Sequence, residues 1–307
     1  MSCAAETGRA LLLSAAVATA SGSCATGRAG TLPFTKMHGA GNDFVCLDGF
    51  AERFPADPAS LARALCDRRT GVGADGVLWI GPSERGDARM VLINADGSRA
   101  QMCGNGIRCV AKFLHDRGRL SEGEARIETD SGVKTVRLHV AGGRASGATV
   151  DLGPPASLPA RVSVTVAPAG APARTFEGEG VSMGNPHFVV FLDEDLDAFP
   201  VERYGPAIER HAIFPDRTNV EFVRLRGRGA LEQRTWERGA GETLACGTGA
   251  CAAAVAAIRR GLADREVLVR LRGGELRIEW DGRGSVFLTG PAAESFAGEW
   301  APPRPLE

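Results

Sequence analysis

The chain has 307 residues, enough for two domains of ordinary size and for a core that needs neither disulfides nor metals. Its 36 basic side chains stand against 37 acidic ones, a formal charge of −1, which argues against a nucleic-acid or anionic-membrane binder and makes a small molecule the expected partner. Hydrophobic residues make up 44% and charged residues 24%, and no window approaches the roughly 18 apolar residues of a membrane span, so both disorder and membrane insertion are excluded outside the N-terminus.

Residues 1–31 are read as an N-terminal extension. The apolar run Ala10 to Ala20, Arg9 and Arg28 against Glu6, and the triplet Ala18-Thr19-Ala20 fit a weak signal or transit peptide, and an over-called start or a disordered tail fits as well. A first helix is expected over Pro58 to Arg68, with Asp57 as N-cap and Pro58 at its first position. Strands follow at Val77 to Ile80 and Met90 to Ile93, then a helix from Ile107 to Asp116 ending before Gly118. Further strands are expected at Thr135 to Val140, Val162 to Val166, Phe188 to Phe191 and Val220 to Val223, and a helix from Ala250 to Arg260 ends before Gly261. The strands are not joined by regular helices, which argues against a doubly wound parallel sheet.

The chain repeats itself. Gly41-Asn42 and Gly184-Asn185 lie 143 positions apart, each followed closely by Phe-Val, and Cys103-Gly104-Asn105-Gly106 lies the same 143 positions before Cys246-Gly247-Thr248-Gly249. The expected fold is therefore α+β: two pseudo-symmetric homologous domains, each a mostly antiparallel sheet or barrel wrapped around a central helix, with the active site in the cleft between them. Residues 32–147 plus 292–307 are assigned to the first half and 148–291 to the second.

Eight cysteines, at positions 3, 24, 46, 66, 103, 109, 246 and 251, are too sparse for a disulfide scaffold and form no C-x-x-C, so reduced thiols in a cytoplasmic protein are expected. Cys103 and Cys246 stand where a glycine-rich turn enters a helix, among free backbone N–H groups and at the positive end of a helix dipole, a setting expected to lower a thiol's pKa. The flanking glycines allow a bound anion to approach the backbone. Two facing thiols suit proton exchange at a stereocentre: one removes a Cα proton and the other returns one from the opposite face. Aligned N–H donors would stabilise the carbanion through its carboxylate. None of the three lysines, Lys36, Lys112 and Lys134, has a persuasive setting for a pyridoxal phosphate imine, so no cofactor is expected. Cys109 and Cys251, like Cys46 and Cys66, read as core residues, and the spacing of the cysteines is poor for zinc, so no metal is expected. A thiol redox switch built on Cys103 and Cys246 is the alternative outside enzymology.

Six segments carry a family resemblance: Lys36 to Phe44, Asn94 to Ser98, Met102 to Cys109, Met183 to His187, Thr218 to Phe222, and Glu237 to Gly249. They are similar to the diaminopimelate epimerases, from about residue 32 to the C-terminus. The resemblance implies interconversion of LL- and meso-2,6-diaminopimelate in lysine and peptidoglycan-precursor synthesis, with Cys103 and Cys246 exchanging the roles of proton donor and acceptor. It further implies that Gly104, Asn105, Gly247 and Thr248 hold the reacting carboxylate. Asn42, Asn94, Asn185, Asn219, Glu237 and Arg238 would read the amino groups and the distal carboxylate, and His187 and Glu237 would assist the cysteines. A homodimer is implied as well. Gly76 stands where some members have a substrate-contacting glutamine, and Phe296 where some have a tyrosine tied to dimerisation. Proline racemase-like enzymes share the fold and the two cysteines but typically carry a histidine after the first Cys-Gly, where this chain has Asn105.

Overall fold

The computed structural model describes residues 31–120, 123–158 and 161–301. The N-terminal extension thus lies outside the described residues except for Thr31. One continuous, mostly antiparallel sheet runs through both halves and curls around two helices. The α+β fold read from the sequence is the observed one.

The first half opens with a hairpin, Leu32–Gly39 against Asn42–Asp48, which turns through Ala40 and Gly41 at φ of 54° and 81°. A two-residue turn with both residues at positive φ matches the twist of the strands it joins, and it delivers Asn42 to the sheet's end. Strand Gly76–Gly81 joins Asn42–Asp48 in parallel, Ala88–Asn94 joins it antiparallel, Glu124–Thr129 follows in parallel, and the hairpin to Gly132–Ala141 leads to Arg144–Asp151. The second half repeats the order. Arg174–Ser182 pairs with Pro186–Phe191, then come Asn219–Gly227 in parallel, Ala230–Glu237 antiparallel, Glu266–Leu271 in parallel, and the hairpin to Gly274–Glu279.

Helix α1 spans Pro58–Cys66, and Asp57 caps it by accepting from Ser60 N–H. Helix α2 spans Gly104–Asp116, α3 Val201–Glu209 and α4 Gly247–Arg259. The sequence reading begins α2 and α4 three residues too late, because glycine in a first turn disfavours a helix by propensity alone. Here cysteine N-caps and burial of both helix starts override that preference. The reading also misses α3, which carries Gly205 and Pro206 inside and has no side-chain N-cap.

Almost all of α2 and α4 is buried in one apolar cluster shared by the two halves. Strand Phe287–Pro291 pairs with Arg144–Asp151, and Ala293–Trp300 returns to pair with Leu32–Gly39. Leu288 on that crossing segment lies beneath both helix starts: a Cβ on Gly104 would meet its Cδ1 at 3.5 Å, and one on Gly247 at 3.2 Å.

Candidate active site

The two helices meet at their N-termini. A Cβ on Gly247 would stand 3.5 Å from Asn105 Oδ1 and 3.8 Å from Gly104 Cα, so the first turns of α2 and α4 are in contact. Cys103 caps α2 and Cys246 caps α4, each with extended backbone geometry. Two positive helix ends brought together repel unless an anion lies between them. Arg108 adds to that potential: its side chain is fully buried and donates to the carbonyls of Gly104 and Pro291 and to Asn105 Oδ1, with no carboxylate among these partners.

Asn105 joins the halves. Its Nδ2 donates to Asn42 Oδ1 and to Ala245 O, each at 3.2 Å, so its side chain is committed to structure and its backbone N–H is what remains for a bound anion. Asn42 in turn accepts from the Cys103 thiol at 3.6 Å and donates to Asp75 at 2.7 Å, and the Asp75 contact fixes which way the amide faces. Gly106 N–H donates to Cys103 Sγ at 3.4 Å.

Around Cys246 the set is different. Thr248 Oγ1 lies 3.6 Å from its sulfur and receives Asn185 Nδ2 at 3.4 Å. Asn185 Oδ1 faces His187 Nε2 at 3.0 Å, and His187 Nδ1 faces Glu221 at 2.8 Å. His187 thus connects to Cys246 through Asn185 and Thr248. Burial pushes the Glu237 carboxyl up, while the Thr243 hydroxyl, 2.5 Å away, and the Cys246 thiol pull it back. Asn219 ties the neighbouring loop together, donating to Pro186 O and accepting from Arg238 N–H, while the Arg238 guanidinium reaches Asp216 O. Asn94 ends strand Ala88–Asn94 opposite Gly76 and donates to Ser98.

The repeat offset explains this assembly. At 143 positions, Asn42 corresponds to Asn185, Gly76 to Asn219, Asn94 to Glu237, Cys103 to Cys246, Gly104 to Gly247 and Asn105 to Thr248. The same sheet ends and helix starts thus supply polar groups twice. Asp75, Arg108, Glu221 and Thr243 receive no role in the sequence reading: the last three lie inside the family-like segments, but their bonds to site residues are made only by the fold.

One expectation is reversed. Burial, the largest effect, raises the Cys103 thiol above the ordinary range although Gly106 and Asn105 N–H groups oppose it. It raises Cys246 further, reinforced by the Glu237 and Glu221 carboxyls. The helix-end N–H groups do not outweigh the burial of these sulfurs. Cys109, as expected of a core residue, is pushed up to about 12 by the same cause.

A duplicated α+β fold closed around two cysteine-capped helix starts is the architecture of the racemase and epimerase class. The family model for diaminopimelate epimerase matches residues 34–158 and 180–294, and the chain belongs to that family. It is 48% identical to a diaminopimelate epimerase of Moorella thermoacetica over 87% of this chain and 98% of that one. It is 46% identical to one of Desulfitobacterium hafniense over 87% and 97%. Among solved structures, a probable proline racemase from Agrobacterium radiobacter superposes with a TM-score of 0.70 at 18% identity, covering 88% of this chain and 93% of that one. Among the described residues no helix is long and apolar enough to cross a membrane.

Proposed function

We propose that the protein interconverts LL- and meso-2,6-diaminopimelate by a cofactor-independent two-base reaction, serving lysine and peptidoglycan-precursor synthesis. The observation that carries this reading is the contact between the Cys103-capped and Cys246-capped helix starts. A carboxylate held by the backbone N–H groups of Gly104, Asn105, Gly247 and Thr248 would place its α-carbon between the sulfurs. One thiolate removes the Cα proton, the N–H donors hold the charge that develops on the carboxylate, and the opposite thiol protonates the other face.

The raised thiols fit this task. A thiolate of higher pKa is a stronger base, closer to the weakly acidic Cα–H, and a raised pKa keeps the partner cysteine protonated as the acid. The positive charge that favours the reacting thiolate comes from the helix ends and from the substrate's own α-ammonium. Asn42, Asn94, Asn185 and Asn219 have amides that donate and accept, as a diacid with two ammonium groups requires, Glu237 suits an ammonium, and Arg238 the distal carboxylate. Two of the three lysines are engaged in structure, Lys36 with Asp43 and Gly73 O and Lys112 with Asp116 and Ala145 O. The reading extends to a cytoplasmic protein and to a homodimer, the latter resting on the half-exposed Phe296 on the strand Ala293–Trp300.

The test is deuterium incorporation at the α-carbons of LL-diaminopimelate in D2O under reducing conditions, with proline in parallel. Wash-in with meso product, absent for proline and lost as inversion in Cys103→Ala and in Cys246→Ala, is expected. Exchange with proline alone would move the substrate to the proline racemase type; no exchange with either from folded, reduced protein would end the enzymatic reading.

A further inference from the structure

Glu221 lies on strand Asn219–Gly227 with its side chain wholly buried against the equally buried His187. From it an unbroken run of contacts reaches a sulfur: Glu221 Oε1 to His187 Nδ1 at 2.8 Å, His187 Nε2 to Asn185 Oδ1 at 3.0 Å, Asn185 Nδ2 to Thr248 Oγ1 at 3.4 Å, and Thr248 Oγ1 to Cys246 Sγ at 3.6 Å.

The other half of the molecule is an internal control. At 143 positions earlier, Leu78 stands for Glu221 and Phe44 for His187, both buried in the apolar core. The packing role is the same in each: a Cβ on Gly106 would meet Leu78 Cδ2 at 3.3 Å, and one on Gly249 would meet Glu221 Oε1 at 2.7 Å. A leucine therefore suffices beneath a cysteine-capped helix. The acid and imidazole are an addition made on one side only, at the full desolvation cost of two polar groups.

We infer that Glu221 is a positioning residue for Cys246, fixing the tautomer of His187 and with it the direction of every hydrogen bond from His187 to the sulfur. The inference rests on the two-base reading. Because the Asn185 oxygen can only accept, His187 Nε2 carries a hydrogen. Nδ1 then faces Glu221 Oε1 at 2.8 Å, and that contact holds the ring in place. With its oxygen engaged, Asn185 turns Nδ2 to Thr248. That contact occupies a lone pair of the hydroxyl and leaves its O–H to point at Cys246. All donors thus run toward the sulfur and stabilise its thiolate where burial and the Glu237 and Glu221 carboxyls oppose it, and this directed run outweighs the direct effect of the Glu221 carboxyl. Without Glu221 the other tautomer of His187 is free to form, Asn185 turns over, and Thr248 loses its direction.

The experiment is alkylation by iodoacetamide across pH on the full chain, with the Cys246 and Cys103 peptides quantified by mass spectrometry. Glu221→Leu, the residue of the other half, is expected to slow Cys246 about tenfold near neutral pH, the loss of one hydrogen bond to a charged group, and to leave Cys103 unchanged. Glu221→Gln, which still donates to Nδ1, is expected to rescue Cys246 to within about twofold. Equal slowing of both cysteines, no slowing in folded Glu221→Leu, or a glutamine variant as slow as the leucine one overturns the inference. Should Glu221→Leu not fold, the imidazole 15N shifts of His187 in the unaltered protein decide it: protonated Nε2 is expected, and a neutral Nδ1–H tautomer overturns it. Alkylation needs no turnover, and the two-base reading stands or falls separately on deuterium exchange in Cys103→Ala and Cys246→Ala.

Discussion

At the scale of the residue, the most exposed dependence on solution conditions is in Asp43, next to Asn42. Burial tends to raise its carboxyl, but hydrogen bonds from Arg68 and Lys36 outweigh this and hold it at about 2, below the ordinary 3.8. A carboxyl depressed in the folded state contributes stability that is fully present above its unfolded pKa and is lost as pH falls through the folded one. Asp43→Asn is therefore expected to be less stable than the parent at pH 6, with the difference shrinking from about pH 4 and closing near pH 2; urea midpoints across that range check it. The paired cysteines, the asparagines at sheet ends and Glu237 are legible in the sequence because they fall in repeated or family-like motifs. The roles of Asp75, Thr243 and Glu221 are not, although the last two stand in such motifs, because what makes each matter is a partner 33, 6 or 34 positions away that only the folded sheet brings near.

At the scale of the element, the start of α2 depends on Arg108, a buried guanidinium fastening its first carbonyl, the Asn105 amide and the crossing strand at Pro291. Replacing it strands two buried acceptors, Gly104 O and Asn105 Oδ1, and frees a part-buried one at Pro291, and Arg108→Met is expected to cost about 2–4 kcal/mol, read from denaturant midpoints, with the loss of activity exceeding what unfolding explains. Helices α1, α2 and α4 could be read from caps and apolar spacing. Helix α3 gives no such signal: Gly205 is there because a Cβ would strike the Trp236 ring at 2.5 Å, and Pro206 breaks the propensity pattern. The repeat itself contains the missing sign, since Val201 lies 143 positions after Pro58, the start of α1.

At the scale of the molecule, both halves use one strand order, so a reading of the repeat recovers the architecture from sequence alone. What it does not recover is the way the halves are sewn together by Phe287–Pro291 and Ala293–Trp300, because the first pairs with Gly274–Glu279 on one side and reaches Arg144–Asp151 on the other, and the second pairs with Leu32–Gly39, far back in the chain. Strand Ala293–Trp300 pairs on one side with Leu32–Gly39 and exposes half of Phe296, whose ring stands edge-on to Phe34. An apolar edge of this kind invites a second copy. Light scattering is expected to give twice the chain mass, and Phe296→Lys to shift it toward the single chain. The return of that last strand also sets an order of events during synthesis. Among the described residues the first strand, Leu32–Gly39, keeps one edge bare until Ala293–Trp300 is translated, so the N-terminal half is finished only after most of the C-terminal one has been made. A premature stop just before Ala293 therefore damages the half that carries Leu32–Gly39, and the truncated product offers chaperones and proteases an open strand far in sequence from the site of the lesion.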